Sequence, residues 1–294
     1  MRSFKRLTLA GALLGLPLLA GAWQSPQEQP CNWQSRDLIG MKVVSEQGES
    51  LGKIEDVVVH PGGATSYAVL SIGGWLGMGD KLFAMPWSVL RTVERNPAEK
   101  DGPSSLVLPL TKERLKAAPG FDQKHWPALA NPEWITEIDA FYADEIRPSS
   151  AKPIEGSVHN SVISWRATEL RGANVETPTG EKLGDIKEIV IDARGRVSYV
   201  ALSVGGFLGL GDRLVAVPWD ALKFSLTGEK GDKRLITLPS TKQQLEQAPQ
   251  FKEGKEHCAE MCDPKWVSHV YEHFSCPPYW NPSATEGIKQ GSQD

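Results

Sequence analysis

Short apolar runs separated by glycine-bearing breaks recur along most of this chain. Val43-Val44 leads to Gly48, Leu51 to Val59 runs into Pro61-Gly62-Gly63, and Ser66 to Ile72 precedes a glycine-dense stretch. Leu82 to Met85 and Leu106 to Leu108 follow. Runs of this length, rich in β-branched residues and bounded by turn formers, predict strands. A second series repeats the pattern at Val175, Leu183 to Ile191, Val197 to Val204, Leu214 to Val217 and Leu235 to Leu238. Regularly spaced short strands predict a mainly β protein of small barrels or sandwiches, in which closing a sheet removes exposed edges. Helical pieces come after each strand series. Thr111 and Thr241 are N-cap residues for segments that stop at Ala118-Pro119 and Ala248-Pro249. Asn131-Pro132 and Asp263-Pro264 put a cap before a proline at the first helical position, predicting helices over 132–145 and 264–274.

The two series are copies. Residues 37–87 align without a gap to 169–219, 132 positions later, with 24 of 51 positions identical. Trp33 and Trp165 keep the same spacing, and Asn131-Pro132-Glu133-Trp134 answers Asp263-Pro264-Lys265-Trp266. A unit of this length is a small domain, not a solenoid repeat. The expected layout is a signal peptide over 1–22, a first domain over 31–145, a Pro/Ser/Gly-bearing linker over 146–163, a second domain over 164–280 and a polar tail over 281–294. The linker leaves two arrangements open: halves acting separately on two sites, or halves packed as a pseudo-dimer.

The leader reading rests on Arg2, Lys5 and Arg6, the apolar run Leu7 to Ala20, and the small-x-small Ala20-Gly21-Ala22. A retained N-terminal anchor is the alternative. No cysteine follows the site directly, which argues against a lipid anchor, and no second apolar run is long enough to span a bilayer. Export implies a periplasmic or secreted protein. Loss of the leader leaves 29 of the 32 basic residues against 36 acidic ones, a charge of about −7 that disfavours nucleic-acid binding.

Several positions together carry a family resemblance. They are Leu38-Ile39-Gly40 and Leu170-Arg171-Gly172, Gly48-Glu49-x-Leu51-Gly52 and Gly180-Glu181-x-Leu183-Gly184, Tyr67 and Tyr199, two Gly-Gly-aromatic-Leu-Gly-x-Gly-Asp runs, and the pairs Pro86-Trp87 and Pro218-Trp219. The sequence resembles the PRC-barrel family over about half of the mature chain, twice in order. The resemblance implies two tandem six-stranded β-barrels, here each followed by a short helical appendage. It also implies an interaction or assembly module without chemistry of its own. The membrane helix of the photosynthetic reaction-centre H subunit has no counterpart here, and export departs from the ribosome maturation factor, so neither partner carries over.

The glycine runs have a structural explanation. Gly73, Gly74, Gly77 and Gly79, with Gly205, Gly206, Gly209 and Gly211, permit tight backbone turns, and Asp80 and Asp212 can bond local amides. Neither aspartate has a visible acid–base partner, so no catalytic residue is assigned. Trp87 and Trp219 are expected in the core. Trp75 and Phe207 either cap their barrels or anchor a partner or the sister barrel.

One region differs between the copies. His257, Cys258, Cys262, His269, His273 and Cys276 crowd the second appendage, where the first has Glu137, Phe141 and Asp144 opposite the last three. Four cysteines in an exported chain suggest disulfides, with Cys31 joined to one of Cys258, Cys262 and Cys276 and the other two paired. The alternative is a metal-binding or redox protein. His269 and His273 are four apart on one helix face, and His257 or the cysteines could complete a zinc or copper site. His269-Val270-Tyr271-Glu272-His273 also fits the inverted zinc-peptidase pattern, but only 21 residues follow and no third ligand is evident. Phosphate-loop, nucleophile-elbow and haem-attachment motifs are missing from the sequence. The expectation is an exported, non-catalytic module that needs no cofactor, with an unidentified envelope protein or a second copy as partner.

Overall fold

The computed structural model describes residues 33–72, 81–92, 105–129, 131–144, 164–192, 194–205, 213–228, 233–253 and 263–279. The protein is mainly β, with two sheets. Lobe 1 contains β1 (Trp33–Gln34), α1 (Ser35–Leu38), β2 (Lys42–Val44), β3 (Ser50–Val59), β4 (Thr65–Ile72), β5 (Lys81–Pro86), β6 (Arg91–Thr92), β7 (Ser105–Val107), α2 (Lys112–Lys116), β8 (Gly120–Asp122) and α3 (Pro132–Phe141). Lobe 2 contains β9 (Trp165–Arg166), α4 (Ala167–Leu170), β10 (Asn174–Glu176), β11 (Lys182–Ile191), β12 (Val197–Val204), β13 (Arg213–Pro218), β14 (Lys223–Thr227), β15 (Lys233–Thr237), α5 (Lys242–Gln247) and α6 (Pro264–His273). A single 3-10 turn follows β5 and β13, at Trp87–Val89 and Trp219–Ala221.

The sheets run in the orders β6-β7-β2-β3-β4-β5-β8 and β13-β12-β11-β10-β15-β14. Long antiparallel hairpins, β3–β4 and β11–β12, form the centre of each. Every residue of β12 and six of the eight in β4 are buried, which explains their near-continuous apolar runs. Register shifts between Ile54 and Asp56, and between Ile186 and Glu188, bend both long strands at matching places.

The helices start where their caps require. The Thr111 and Thr241 hydroxyls accept from the amides of Arg114 and Gln244, and the Asn131 and Asp263 side chains accept from Glu133 and Lys265. Helices α3 and α6 end at Phe141 and His273. Tyr67 meets Trp134 edge-on at 5.4 Å, and Tyr199 meets Trp266 the same way at 5.4 Å, so each long helix lies on its own sheet.

The first strands of the two copies cross over. β1 pairs with β11 of lobe 2, through Trp33 opposite Ile191 and Gln34 opposite Val190. β9 pairs with β3 of lobe 1, through Trp165 opposite Val59 and Arg166 opposite Val58. These registers map onto each other under the 132-residue shift, so the lobes are related by a pseudo-two-fold and have traded their first strands. A single apolar cluster runs through both lobes, including Leu38, Val57, Trp87, Trp165, Ile189 and Trp219. Of the two arrangements left open by the sequence, the packed pair is the one found.

Candidate functional site

The face between the lobes is built from two hairpin turns and two tryptophans. The β3–β4 turn brings Gly63 to φ +84°, and the β11–β12 turn brings Gly195 to φ +79°. Each turn bonds to the opposite chain segment. The Thr65 amide donates to the Gly195 carbonyl at 2.6 Å, and the Val197 amide donates to the Gly63 carbonyl at 2.7 Å. Trp219 lies against Gly63, and Trp87 lies against Gly195. A Cβ on Gly63 would stand 2.8 Å from Trp219 Cδ1, and one on Gly195 would stand 2.2 Å from Trp87 Cδ1. Trp219 Nε1 also donates to the Pro61 carbonyl at 2.8 Å. The buried tryptophans expected in the core are there, and their ring faces close the contact between lobes.

A buried carboxylate sits beside each traded strand. Asp56 and Glu188 are equivalent by the repeat and are 2% and 1% exposed. Asp56 accepts from the Thr168 hydroxyl at 2.5 Å, the Thr168 amide at 3.2 Å and the Val57 amide at 2.8 Å. Burial pushes the Asp56 carboxyl above its ordinary value, while Thr168, Val57 and the Arg166 guanidinium pull it back. Glu188 accepts from the Ser35 hydroxyl and the Ile189 amide, and Arg36 Nε lies 3.6 Å from it. Thus α1 of lobe 1 holds the acid of lobe 2, and α4 of lobe 2 holds the acid of lobe 1. The two sides use different chemistry: a serine and an arginine against a glutamate, a threonine against an aspartate.

Beside β9, Arg166 and Arg234 grip Glu169 at 2.7 and 2.6 Å. Burial raises that carboxyl, but the two guanidinium groups outweigh it and hold it below its usual range. Arg234 also covers the Trp165 ring at 4.6 Å, and Trp219 stacks on Phe224 at 4.5 Å.

The chain after α6 folds back onto the β11–β12 hairpin. The Tyr279 hydroxyl lies 2.7 Å from Asp192 Oδ2 and 3.0 Å from the Ser198 hydroxyl, with Arg196 over its ring at 4.6 Å. Burial first, and the Asp192 carboxylate next, push this phenol far up, so it stays neutral and donates to Asp192. Tyr271, also held neutral by burial, donates to the Ser198 carbonyl at 2.6 Å. Arg196 reaches Asp220 at 3.1 Å; burial raises that carboxyl in spite of the arginine.

His269 is exposed on α6, and His273 is half-buried with Nε2 3.0 Å from the Gln244 carbonyl. A carbonyl only accepts, so Nε2 donates to it. Among the described residues no group of three or more His, Cys, Asp or Glu is placed to hold a metal ion. Cys276 is the one cysteine among them; its thiol is free, half-buried and raised by burial. His257, Cys31, Cys258 and Cys262 lie outside the described residues, as do Trp75, Phe207, Gly73, Gly74, Gly77, Gly79, Asp80, Gly206, Gly209, Gly211 and Asp212. Gly205 is described and takes φ +86°.

The polar residues that bring the lobes together were not singled out by the sequence. Ser35, Arg36, Asp56, Thr168 and Glu188 carry no motif. Asp56 and Glu188 stand at the same place in both copies, each directly before three apolar residues, and that was the available signal.

Among the described residues, no helix is long and apolar enough to cross a membrane. No curated protein matches the chain. The family model for the PRC-barrel domain matches residues 34–102 and 165–245, together just over half of the sequence. The two matched stretches fall on the two sheets, and the chain therefore belongs to the PRC-barrel family, in two tandem copies.

Proposed function

We propose that this protein is an exported, non-catalytic module that holds partners together in the cell envelope, its two lobes acting as one fixed body. The carrying observation is the reciprocal trade of β1 and β9, which locks the lobes in one orientation. Surfaces on the two lobes are then presented to a partner at a set spacing, and the ordering cost of a second contact is met in advance. Membership of a family whose domain is in general a non-catalytic module supports the same reading. Trp75 and Phe207 are the proposed anchors, and Cys31, Cys258, Cys262 and Cys276 are proposed to be oxidised after export, which requires the Cys276 thiol, free in this structure, to pair with one of the other three.

The test is fractionation with intact mass measurement, followed by cross-linking in envelope extracts. The expected result is a periplasmic chain beginning at Trp23, cross-linked to one envelope protein at fixed stoichiometry, with the cross-link lost in Trp75→Ala/Phe207→Ala. A chain retained in the cytoplasm would refute the exported role. Stoichiometric zinc or copper, released in His269→Ala/His273→Ala, would replace the module reading with a metal-binding one.

A further inference from the structure

We infer that the face between the lobes is self-complementary at the level of whole chains, so that a second copy of this protein can supply it. In such a pair, lobe 1 of each copy docks on lobe 2 of the other. The inference goes beyond the proposed function, in which the two lobes of one chain act together, and does not depend on export.

Every described contact across the face joins a lobe 1 residue to a lobe 2 residue without using the connecting chain. The traded strands, the turns carrying Gly63 and Gly195, the two tryptophans and the two carboxylates all lie within the lobes. The described residues of lobe 1 end at Asp144 and those of lobe 2 begin at Ser164. A pair that exchanges lobes keeps every one of those contacts. Exchange of identical elements between copies is a low-cost route to a dimer for that reason. The choice between one chain and two is then set by the effective concentration the connecting chain confers. For a Pro/Ser/Gly-bearing segment of this length that concentration is in the millimolar range.

The asymmetry of the buried acids fixes which lobes pair. If lobe 2 met another lobe 2, Ala167 and Thr168 would replace Ser35 and Arg36 around Glu188, which would lose the serine hydroxyl and the guanidinium. If lobe 1 met another lobe 1, Ser35 and Arg36 would replace Ala167 and Thr168 around Asp56, which would lose the Thr168 hydroxyl. Lobe 1 on lobe 2 is the matched combination, whichever chain each comes from.

The experiment mixes isotope-labelled and unlabelled full-length protein, each carrying a protease site inserted at residue 153. The mixture is denatured and refolded across a concentration series, then measured by native mass spectrometry before and after cleavage. The expected result is a dimer that is a minor species at micromolar protein and about half of the chains near ~1 mM. Cleavage should release lobe pairs with one labelled and one unlabelled member. A monomer at all concentrations would overturn the inference. So would a dimer whose cleaved lobe pairs are always uniform in label, since that dimer joins through another surface. A lobe 2 pair with lobe 2 would overturn the matching of the acids.

Discussion

Gly195 occupies a left-handed backbone conformation with the Trp87 ring directly where a side chain would begin. Replacing it by alanine sets strain against a buried ring. The left-handed conformation and the overpacking together should cost about 2–4 kcal/mol. Gly63→Ala should cost less, because its Cβ would stand further from Trp219. Urea unfolding of the two variants checks both the size and the order. Asp56 gives the second prediction. Its carboxyl is raised in the folded protein by burial, so above the ordinary value of 3.8 the folded state holds more protons than the unfolded one. Stability due to this group therefore falls as pH rises from 3.8 through the raised folded value. Asp56→Asn should flatten that part of the stability profile relative to the unmutated protein. Unfolding curves at a series of pH values decide it; an unchanged slope would assign the effect to another group.

At the scale of elements, the traded strands act at a distance in sequence. β1 has two residues, yet it covers the end of β11, more than 150 positions away. Removing its side chains and pairing should loosen the other lobe and not its own. For a variant lacking residues 23–34, hydrogen exchange should speed up at Val190 and Ile191 while Val43 and Leu106 stay protected. Exchange loosened mainly in lobe 1 would contradict the crossover. The same two residues explain a limit on reading the chain. Two residues carry no alternation, so β1 and β9 leave no hydrophobic signature, and only the spacing of Trp33 and Trp165 hinted that each unit began early. By contrast β3, β4, β11 and β12 were legible to within one or two residues, because eight to ten positions of β-branched sequence bounded by glycine admit few other structures. The four N-caps were legible for a similar reason, since each places a short oxygen-bearing side chain where free amides need an acceptor. Strand β14 escaped notice because its Lys-Phe-Ser-Leu-Thr sequence packs only partly against the core.

As a whole molecule the protein behaves as one core with two sheets, because Leu38, Trp87, Trp165 and Trp219 join the lobes into a continuous apolar cluster. A core truncation in one lobe, such as Val57→Ala, should lower a single shared unfolding transition, measured by calorimetry and by fluorescence. Two separated transitions would mean that the lobes fold apart. The pairing could not be deduced from either copy alone. Duplication told that two similar units existed, but the side-chain partners of Asp56 and Glu188 lie more than 100 residues away and belong to the opposite copy. Proximity of that kind is a property of docking geometry, and it has no local trace. The glycine runs and the cysteine-rich stretch were the loudest features of the sequence, and most of them lie outside the described residues.

The pseudo-two-fold has a consequence for how such a protein diverges. In a pair of identical chains any substitution is imposed on both sides of the axis, and a change that helps one side can harm the other. Tandem fusion removes that obligation. Here one flank could keep threonine with aspartate while the other took serine and arginine with glutamate, and one could gain the tyrosine strap of residue 279. The covalent join is thus a licence for inequality between twins.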